Sequence, residues 1–259
     1  MFKEELKAVS NAGKSKVSLL KENKLGYMIS AILAGLYVGF GIMLIFSIGG
    51  ILTSAGSPMT KIVMGAAFGV ALSLVIFAGA ELFTGNNFVM TVASLSGEIS
   101  WIDTIKVWIA AFIGNLMGSA IGAFAFVIAG LATGPIGEFI AKTSLTKMTM
   151  GAPQLFVRGI LCNILVCLAI WCSIKLKSES GKLIMVFWCL FVFITAGFEH
   201  SIANMTLLTI GLLSPQGMAI TIGGFVYNIV IVTLGNLVGG VLLALCYNII
   251  SKNKNNQKE

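Results

Sequence analysis

Two eight-residue stretches of this sequence share one pattern: GAELFTGN at residues 79–86 and GFEHSIAN at residues 197–204. Both lie inside long apolar segments, at 62–95 and 183–213. A single helix over 62–95 would be roughly 50 Å long at about 1.5 Å per residue, whereas the hydrocarbon core of a bilayer is about 30 Å thick. The polar residues inside each segment therefore predict two broken helices, whose non-helical backbone is buried in protein or lines an aqueous cavity.

The shared pattern belongs to a longer internal repeat. The motif GNLxG begins 33 residues after Glu81, at 114–118, and again 36 residues after Glu199, at 235–239. Each half, about 25–133 and 155–250, contains three apolar segments, so the second copy enters the membrane from the opposite side. This predicts an inverted 3+3 repeat, related by a pseudo-twofold axis in the membrane plane. Inverted repeats with paired broken helices are typical of channels and transporters, with the site near the midplane.

The composition excludes a soluble globular protein. Of the 259 residues, 57% are hydrophobic and 10% are charged, whereas a soluble domain has about 25% charged residues. The sequence therefore predicts an all-α polytopic membrane protein. Its six transmembrane segments, with broken second and fifth helices, lie at 25–52, 62–95, 107–133, 155–174, 183–213 and 217–250. Glycines four residues apart, as in both copies of GNLxG, indicate helices that pack closely.

The basic residues predict the orientation of the chain. The net charge is +7, but no basic face follows from the sequence, so we expect no nucleic-acid partner. With both termini on one side, that side carries 13 basic residues and the other carries 4, which predicts cytoplasmic termini. We expect an interfacial helix at 1–24, with an unstructured basic tail as the alternative. After this segment we predict a six-span channel domain at 25–250 and a cytoplasmic tail at 251–259.

The residues that common enzymes need are absent from the sequence. There is one histidine, and all five cysteines lie within apolar segments without CxxC spacing, so neither a disulfide framework, a zinc site nor a haem site is expected. The sequence contains no GxSxG motif and no P-loop. We therefore predict a protein that is not an enzyme and has no cofactor and no metal, which leaves a passive or a proton-coupled pore.

His200 is the strongest candidate for chemistry, because an ionisable side chain inside a membrane segment is costly and is a functional candidate by default. A histidine ordinarily titrates near pH 6.5, which suits a site that handles a proton or an anion. The alternative is a buried neutral ring that a backbone carbonyl satisfies. Thr84 is predicted to present its hydroxyl to the pore.

The remaining polar residues of the segments favour structural roles. Glu81 and Glu199 occupy equivalent positions of the repeat, so we expect them to accept hydrogen bonds from backbone freed at the breaks. Either carboxylate could instead pair with Lys147 or Arg158. The asparagines of the segments either cap the breaks or contact an ion: Asn86, Asn163 and Asn204.

The sequence resembles the formate/nitrite transporter family along essentially its whole length. The stretches GFEHSIANM at 197–205 and RGILCNILVCLAIW at 158–171 look like signatures of that family, and ELFTG at 81–85 and GNL at 114–116 fit it. The resemblance implies a homopentamer of aquaporin-like subunits. Each subunit would have its own pore, with two hydrophobic constrictions around a central histidine, and would pass small monovalent anions.

The resemblance also implies roles for individual residues. The central histidine would be His200, and the threonine of the mobile loop in the second span would be Thr84. The lysine between the third and fourth spans would be Lys147, although its neighbours Met148 and Met150 are less typical. The matching asparagines are Asn163 and Asn204. The constrictions would be formed by Leu72, Leu82 and Phe83 on one side and by Phe68 and Phe193 on the other.

The permeating anion is the least determined part of this prediction. The stretch TGNN at 84–87 looks like the hydrosulfide channel branch of the family, whereas residues 152–171 resemble the nitrite branch. We expect hydrosulfide, with nitrite or formate as the alternative within the family. A transporter that couples each anion to a proton is a second class of function. Because the family is mainly microbial, we expect a prokaryotic inner membrane, where membrane lipid is the other partner.

Overall fold

The computed structural model describes residues 1–252, and within them the only regular secondary structure is α-helix. Most of the predicted tail at 251–259 lies outside these residues. The helices are α1 (Lys3–Glu22), α2 (Lys24–Ser54), α3 (Thr60–Ala67), α4 (Gly69–Phe77), α5 (Phe83–Leu95), α6 (Trp101–Ile128), α7 (Gly134–Thr149), α8 (Ala152–Lys175), α9 (Glu179–Ala196), α10 (Ser201–Leu213) and α11 (Ile222–Ser251). Six of the segments are long and apolar enough to cross a membrane, α3 and α4 counting as one. The all-helical, six-span prediction is thereby confirmed.

Both predicted breaks are present. The second segment is helical to Phe77, leaves the helix over 78–82 and resumes as α5, and the fifth leaves it over 197–200 and resumes as α10. A glycine turns the chain at each break: Gly79 has φ 79° and Gly197 has φ 77°, in the left-handed region that side chains disfavour. The half-helices α5 and α10 that follow the breaks are buried along nearly their whole lengths.

The two halves pack alike. Helices α2 and α6 form one close pair, and α8 and α11 form the equivalent pair. A Cβ on Gly118 would overlap the carbonyl oxygen of Ile32, and one on Gly239 would overlap that of Ile160. The glycines of both GNLxG motifs therefore serve contacts within one subunit, where small residues let helices approach closely.

One further helix precedes each of the two repeats: α1 before the first and α7 before the second. The N-terminal segment is a helix, α1, as expected; it packs against α2 and α5. Helix α7, which packs against α2 and α10, lies in a connection for which no helix was predicted. Pro135 in its first turn and Lys147 in its last turn are helix-boundary signals. Each half therefore contains a short helix followed by three segments, which the apolar segments alone do not reveal.

The ends of two spans differ from the apolar boundaries. Helix α6 begins at Trp101 rather than at 107, because Ser100 accepts a hydrogen bond from the Asp103 N–H and caps it. Helix α11 begins at Ile222 rather than at 217, where Thr221 caps it in the same way. Hydropathy reports where the apolar stretch starts, whereas the cap decides where the helix starts.

Candidate functional site

The two breaks bring Thr84 and His200 together. Thr84 Oγ1 and His200 Nε2 are 2.9 Å apart, and both residues are buried, His200 being 4% exposed. His200 Nδ1 accepts the backbone N–H of Ala203 at 3.1 Å and caps α10. A neutral ring with Nδ1 occupied in this way carries its hydrogen on Nε2, so Nε2–H donates to the threonine oxygen. Phe193 stacks on the imidazole, with ring centroids 6.0 Å apart.

The asparagine of each GNLxG motif satisfies the broken backbone. Asn236 Nδ2 donates to the carbonyls of Gly159 and Glu199 at 2.8 and 2.9 Å, and its Oδ1 accepts the N–H of Ser201 at 2.9 Å. Because a buried backbone group without a partner is costly, this side chain fixes the position of the break.

Asn115 makes the same three contacts in the first half. Its Nδ2 donates to the carbonyls of Ala31 and Glu81, and its Oδ1 accepts the N–H of Phe83 at 2.9 Å. Both asparagines belong to the repeated motif, but no role was predicted for them. Their similar placement, 34 residues after Glu81 and 37 after Glu199, was the available signal.

The two glutamates form equivalent ion pairs. Glu199 Oε1 lies 2.6 Å from Lys147 Nζ, and its Oε2 accepts from Asn204 Nδ2 at 2.7 Å. Glu199 itself is 2% exposed. The alternative pairing of Glu199 with Lys147 is therefore the one that the structure contains.

Glu81 pairs with neither of its predicted partners, Lys147 and Arg158, but with a lysine of α1. Its Oε1 lies 2.6 Å from Lys16 Nζ of α1, and its Oε2 accepts from Asn86 Nδ2 at 3.0 Å. The freed backbone that we expected the glutamates to bind is held by Asn115 and Asn236 instead. Arg158 also contacts a break, since its guanidinium donates to the carbonyl of Gly197 at 3.4 Å.

Two vestibules approach the Thr84–His200 contact from opposite ends. The Lys147 vestibule has a volume of about 270 Å³, and the Lys16 vestibule has a volume of about 320 Å³. Positions that the repeat relates line both, including Gly79 and Gly197, Asn86 and Asn204, and Val89 and Leu207. Lys61, which was not among the predicted site residues, lines the Lys147 vestibule as well.

A small central chamber of about 10 Å³ lies between the vestibules. His200 is its only polar lining residue; the others are Val38, Phe68, Ala71, Leu72, Leu82, Val166, Leu190 and Phe193. Leu82 also lines the Lys16 vestibule, and Phe193 also lines the Lys147 vestibule, so these two side chains stand at opposite ends of the chamber. Such a volume is about that of one water probe.

The structure brings most, but not all, of the predicted site residues to this pathway. Four of the five expected constriction residues line the chamber: Leu72, Leu82, Phe68 and Phe193. Phe83 lines neither the chamber nor a vestibule and packs edge-on against Phe112 of α6. Asn163 also lies behind the pathway, where its Nδ2 donates to the carbonyls of Thr84 and Asn236 and to Asn87 Oδ1.

Comparison with known proteins identifies the family to which this chain belongs. A sequence profile described as formate/nitrite transporter matches residues 3–250. The chain belongs to the formate/nitrite transporter family. It is a multi-pass membrane protein of a family of transporters and channels rather than of enzymes.

Several relatives and solved structures resemble the chain over nearly its full length. The nitrite transporter NirC of Escherichia coli is 41% identical, over 93% of this chain and 89% of that protein. A probable formate transporter of Methanothermobacter thermautotrophicus is 35% identical, over 90% and 91%. A solved FNT family ion channel has a TM-score of 0.91 at 37% identity, covering 96% of this chain and 99% of that one. A pentameric formate channel with formate bound has a TM-score of 0.75 at 29% identity, covering 89% and 98%.

Proposed function

We propose that this protein is a channel for small monovalent anions, which cross at the contact between Thr84 and His200. The observation that carries this proposal is the sequence of compartments: a vestibule with a lysine on each side and an apolar chamber with one histidine between them. An ion that leaves either vestibule must shed most of its water, because the chamber has room for about one water-sized sphere. The apolar ends at Leu82 and Phe193 thus act as constrictions that exclude hydrated ions.

Fixed positive potential draws anions toward the constrictions. Helices α5 and α10 begin at Phe83 and Ser201, so their N-terminal ends face the centre of the protein, and such ends favour negative charge. Lys147 and Lys16 add an ammonium group to each vestibule. The ion pairs with Glu199 and Glu81 moderate this attraction, which lets an anion leave as well as enter.

His200 is proposed to reduce the charge of the anion while the anion is in the dry chamber. Its Nε2–H, which donates to Thr84 in the absence of an anion, would turn to donate a hydrogen bond to the anion. The ring could pass on a proton only after taking one up from solution at Nδ1, so that the imidazolium returns to the neutral imidazole when the anion is protonated. Thr84 would exchange the imidazole for the anion as its own partner. An anion whose charge is shared or neutralised crosses an apolar constriction at a lower cost.

Replacing His200 by asparagine is expected to change the pH dependence of anion flux, since an amide donates a hydrogen bond but does not titrate. Flux into liposomes, measured by stopped flow between pH 5 and 8, should lose its steepest part, with a change of at least about tenfold at one end of the series. A control is Thr84→Val, which removes the hydroxyl but keeps a titratable ring. Identical flux at every pH in the His200 variant would refute the proton-sharing step.

Nitrite is the first anion to test. Relatives named as nitrite transporters in Escherichia coli and Salmonella typhimurium are 41% and 40% identical to this chain. The stretch TGNN at 84–87 supports hydrosulfide as the second candidate, and the formate transporter and channel among the relatives support formate as the third. All three are small, singly charged conjugate bases, so their selectivities are expected to overlap.

A parallel flux assay separates these anions. We expect purified protein in liposomes to conduct nitrite, formate and hydrosulfide at least about tenfold faster than protein-free liposomes, with nitrite fastest. A clear lead for hydrosulfide would instead support the branch that TGNN indicates. Equal leakage with and without protein for all three anions would contradict the channel. Uphill accumulation driven by a pH gradient would favour the proton-coupled transporter.

The assembly and the placement of the chain complete the proposal. We propose a homopentamer in a prokaryotic cytoplasmic membrane, with both termini inside the cell and α1 at the cytoplasmic interface. The pentameric formate channel among the structural relatives and the bacterial nitrite transporters support this. The exposed apolar residues along α6, among them Ile109, Ile113 and Phe124, suit contact with lipid or with a second subunit.

A further inference from the structure

A polar pocket of about 240 Å³ lies outside the conduction pathway. It is formed where the first turns of α1, the turn after α5 and the last turn of α11 meet, and it shares no lining residue with the vestibules or the central chamber. The channel function proposed above does not use it.

Two lysines give the pocket a positive charge. Lys3 and Lys7 are four residues apart on α1, so they lie on one face of that helix, and both line the pocket. Both are exposed and, within residues 1–252, neither forms an ion pair or a hydrogen bond through its side chain. Two free ammonium groups at this spacing suit the oxygens of a phosphate.

Ser10 adds a hydroxyl group that has no partner. It lies one turn after Lys7, lines the pocket and is 3% exposed. Its Oγ makes no hydrogen bond within the described part of the chain. A buried hydroxyl is nearly always bonded, and a helical serine can usually bond a carbonyl of the preceding turn. Because Ser10 lines the cationic pocket, we take the missing partner of its enclosed hydroxyl to be a ligand oxygen.

The one carboxylate at the pocket is already neutralised. Glu98 Oε2 lies 2.5 Å from Lys14 Nζ. The hydrogen bond and the charge of Lys14 lower the pKa of the Glu98 carboxyl below its ordinary value, and Lys7 adds to this effect. Since Lys14 balances this charge, the remaining lining residues are net positive.

The ends of two membrane spans beside the pocket indicate its depth. The pocket lies at the last turn of α11, one of the six candidate spans. Phe2, which precedes Lys3, packs edge-on against Trp171 near the end of α8, another of these spans. We infer that the lysines lie at the level of lipid headgroups. Leu6 gives the pocket an apolar wall as well.

We propose that this pocket binds a phosphate group, held by Lys3, Lys7 and Ser10. At this depth an anionic lipid supplies such a group as its headgroup phosphodiester, and water supplies it as free phosphate. The apolar wall at Leu6 is suited to the first carbons of a lipid chain, which free phosphate lacks.

The test measures binding to the full chain in detergent. Short-chain phosphatidylglycerol and inorganic phosphate are titrated separately, and bound ligand is counted by native mass spectrometry. The double variant Lys3→Gln/Lys7→Gln is expected to weaken binding about tenfold or more, because each lysine near a membrane surface contributes about a fivefold factor. Ser10→Ala, which keeps every charge, is expected to weaken it about threefold.

A second double variant, Lys24→Gln/Lys177→Gln, removes the same charge away from the pocket and should stay within about twofold of the parent. Binding of phosphatidylglycerol alone identifies lipid as the source, and saturable binding of inorganic phosphate identifies free phosphate. Equal weakening by both double variants, unchanged binding in Ser10→Ala, or binding of neither probe would overturn the proposal.

Discussion

Replacing Lys147 by methionine is expected to destabilise the protein by about 3–5 kcal/mol, because it leaves the Glu199 carboxylate buried without its cationic partner. Glu199 is 2% exposed and Lys147 Nζ is 2.6 Å from it. Asn204 would remain the only side chain bonded to that carboxylate among the described residues. The measurement is the unfolding free energy in mixed micelles, or the thermal midpoint of the detergent-solubilised protein.

The repeat supplies the matched control for this prediction. Lys16→Met breaks the equivalent pair with Glu81, whose side chains are 19% and 12% exposed, so water can reach the remaining charge. We expect a loss of about 1–2 kcal/mol there. The double variant Lys147→Met/Glu199→Gln should recover most of the stability lost in Lys147→Met, since no charge remains buried. If Lys147→Met were as stable as the parent, the Glu199 carboxylate would have to be solvated in a way that this geometry does not allow.

Asn236→Asp is expected to abolish most of the folded protein. The amide group donates to the carbonyl oxygens of Gly159 and Glu199 at 2.8 and 2.9 Å. A carboxylate of the same shape would place negative charge against both oxygens. Losing two donors costs about 1–3 kcal/mol for each carbonyl left unpaired, and a buried unpaired charge costs more. The measurement is the monodisperse fraction on size-exclusion chromatography together with the thermal midpoint.

Two further asparagines provide an equivalent variant and a control for this prediction. Asn115→Asp should be about as damaging, because Asn115 makes the equivalent contacts at the other break. Asn23→Asp should be nearly neutral, since Asn23 is an exposed cap of α2 that accepts from the Gly26 N–H, and aspartate caps helices equally well. A folded Asn236→Asp protein with a midpoint within a few degrees of the parent would show that the breaks do not depend on this side chain.

The membrane fold could be predicted because its constraints act along the chain. The 34-residue apolar segment at 62–95 exceeds the thickness of a bilayer, and its polar cluster around Glu81 places a break there. The equally long segment at 217–250 lacks such a cluster and forms one helix. The similar spacing of GNLxG after both glutamates, 33 and 36 residues, identifies the repeat without any structure. Helix α7 was missed because it is too polar to register as a span and is stabilised by packing against α2 and α10. Short helices of this kind owe their stability to tertiary contacts.

The site was predictable in part, for a related reason. His200 and Thr84 stand out as polar residues within apolar segments, and the structure places them in contact. The hydrophobic residues of the pathway could be chosen only by resemblance, which placed Phe83 at a constriction although its ring packs against Phe112. A helix that is buried on all sides is apolar on all sides, so its sequence does not distinguish a face toward a chamber from a face toward another helix.

By itself, the sequence determined the number of spans, the positions of both breaks and the inverted repeat. These features follow from the lengths of the apolar segments, the polar residues within them and the repeated motifs, all of which can be read along the chain. The tertiary structure alone decided which side chains meet across long separations. Glu81 pairs with Lys16 of α1, 65 residues away, and Thr84 meets His200, 116 residues away. It also decided what one departure from the repeat means. Leu82 is the sequence equivalent of His200, and only the fold brings both to the chamber, which therefore has one polar side chain rather than two. These partners are chosen by which buried groups lack a hydrogen bond or a counter-charge once the helices have packed, and that is a property of the folded bundle.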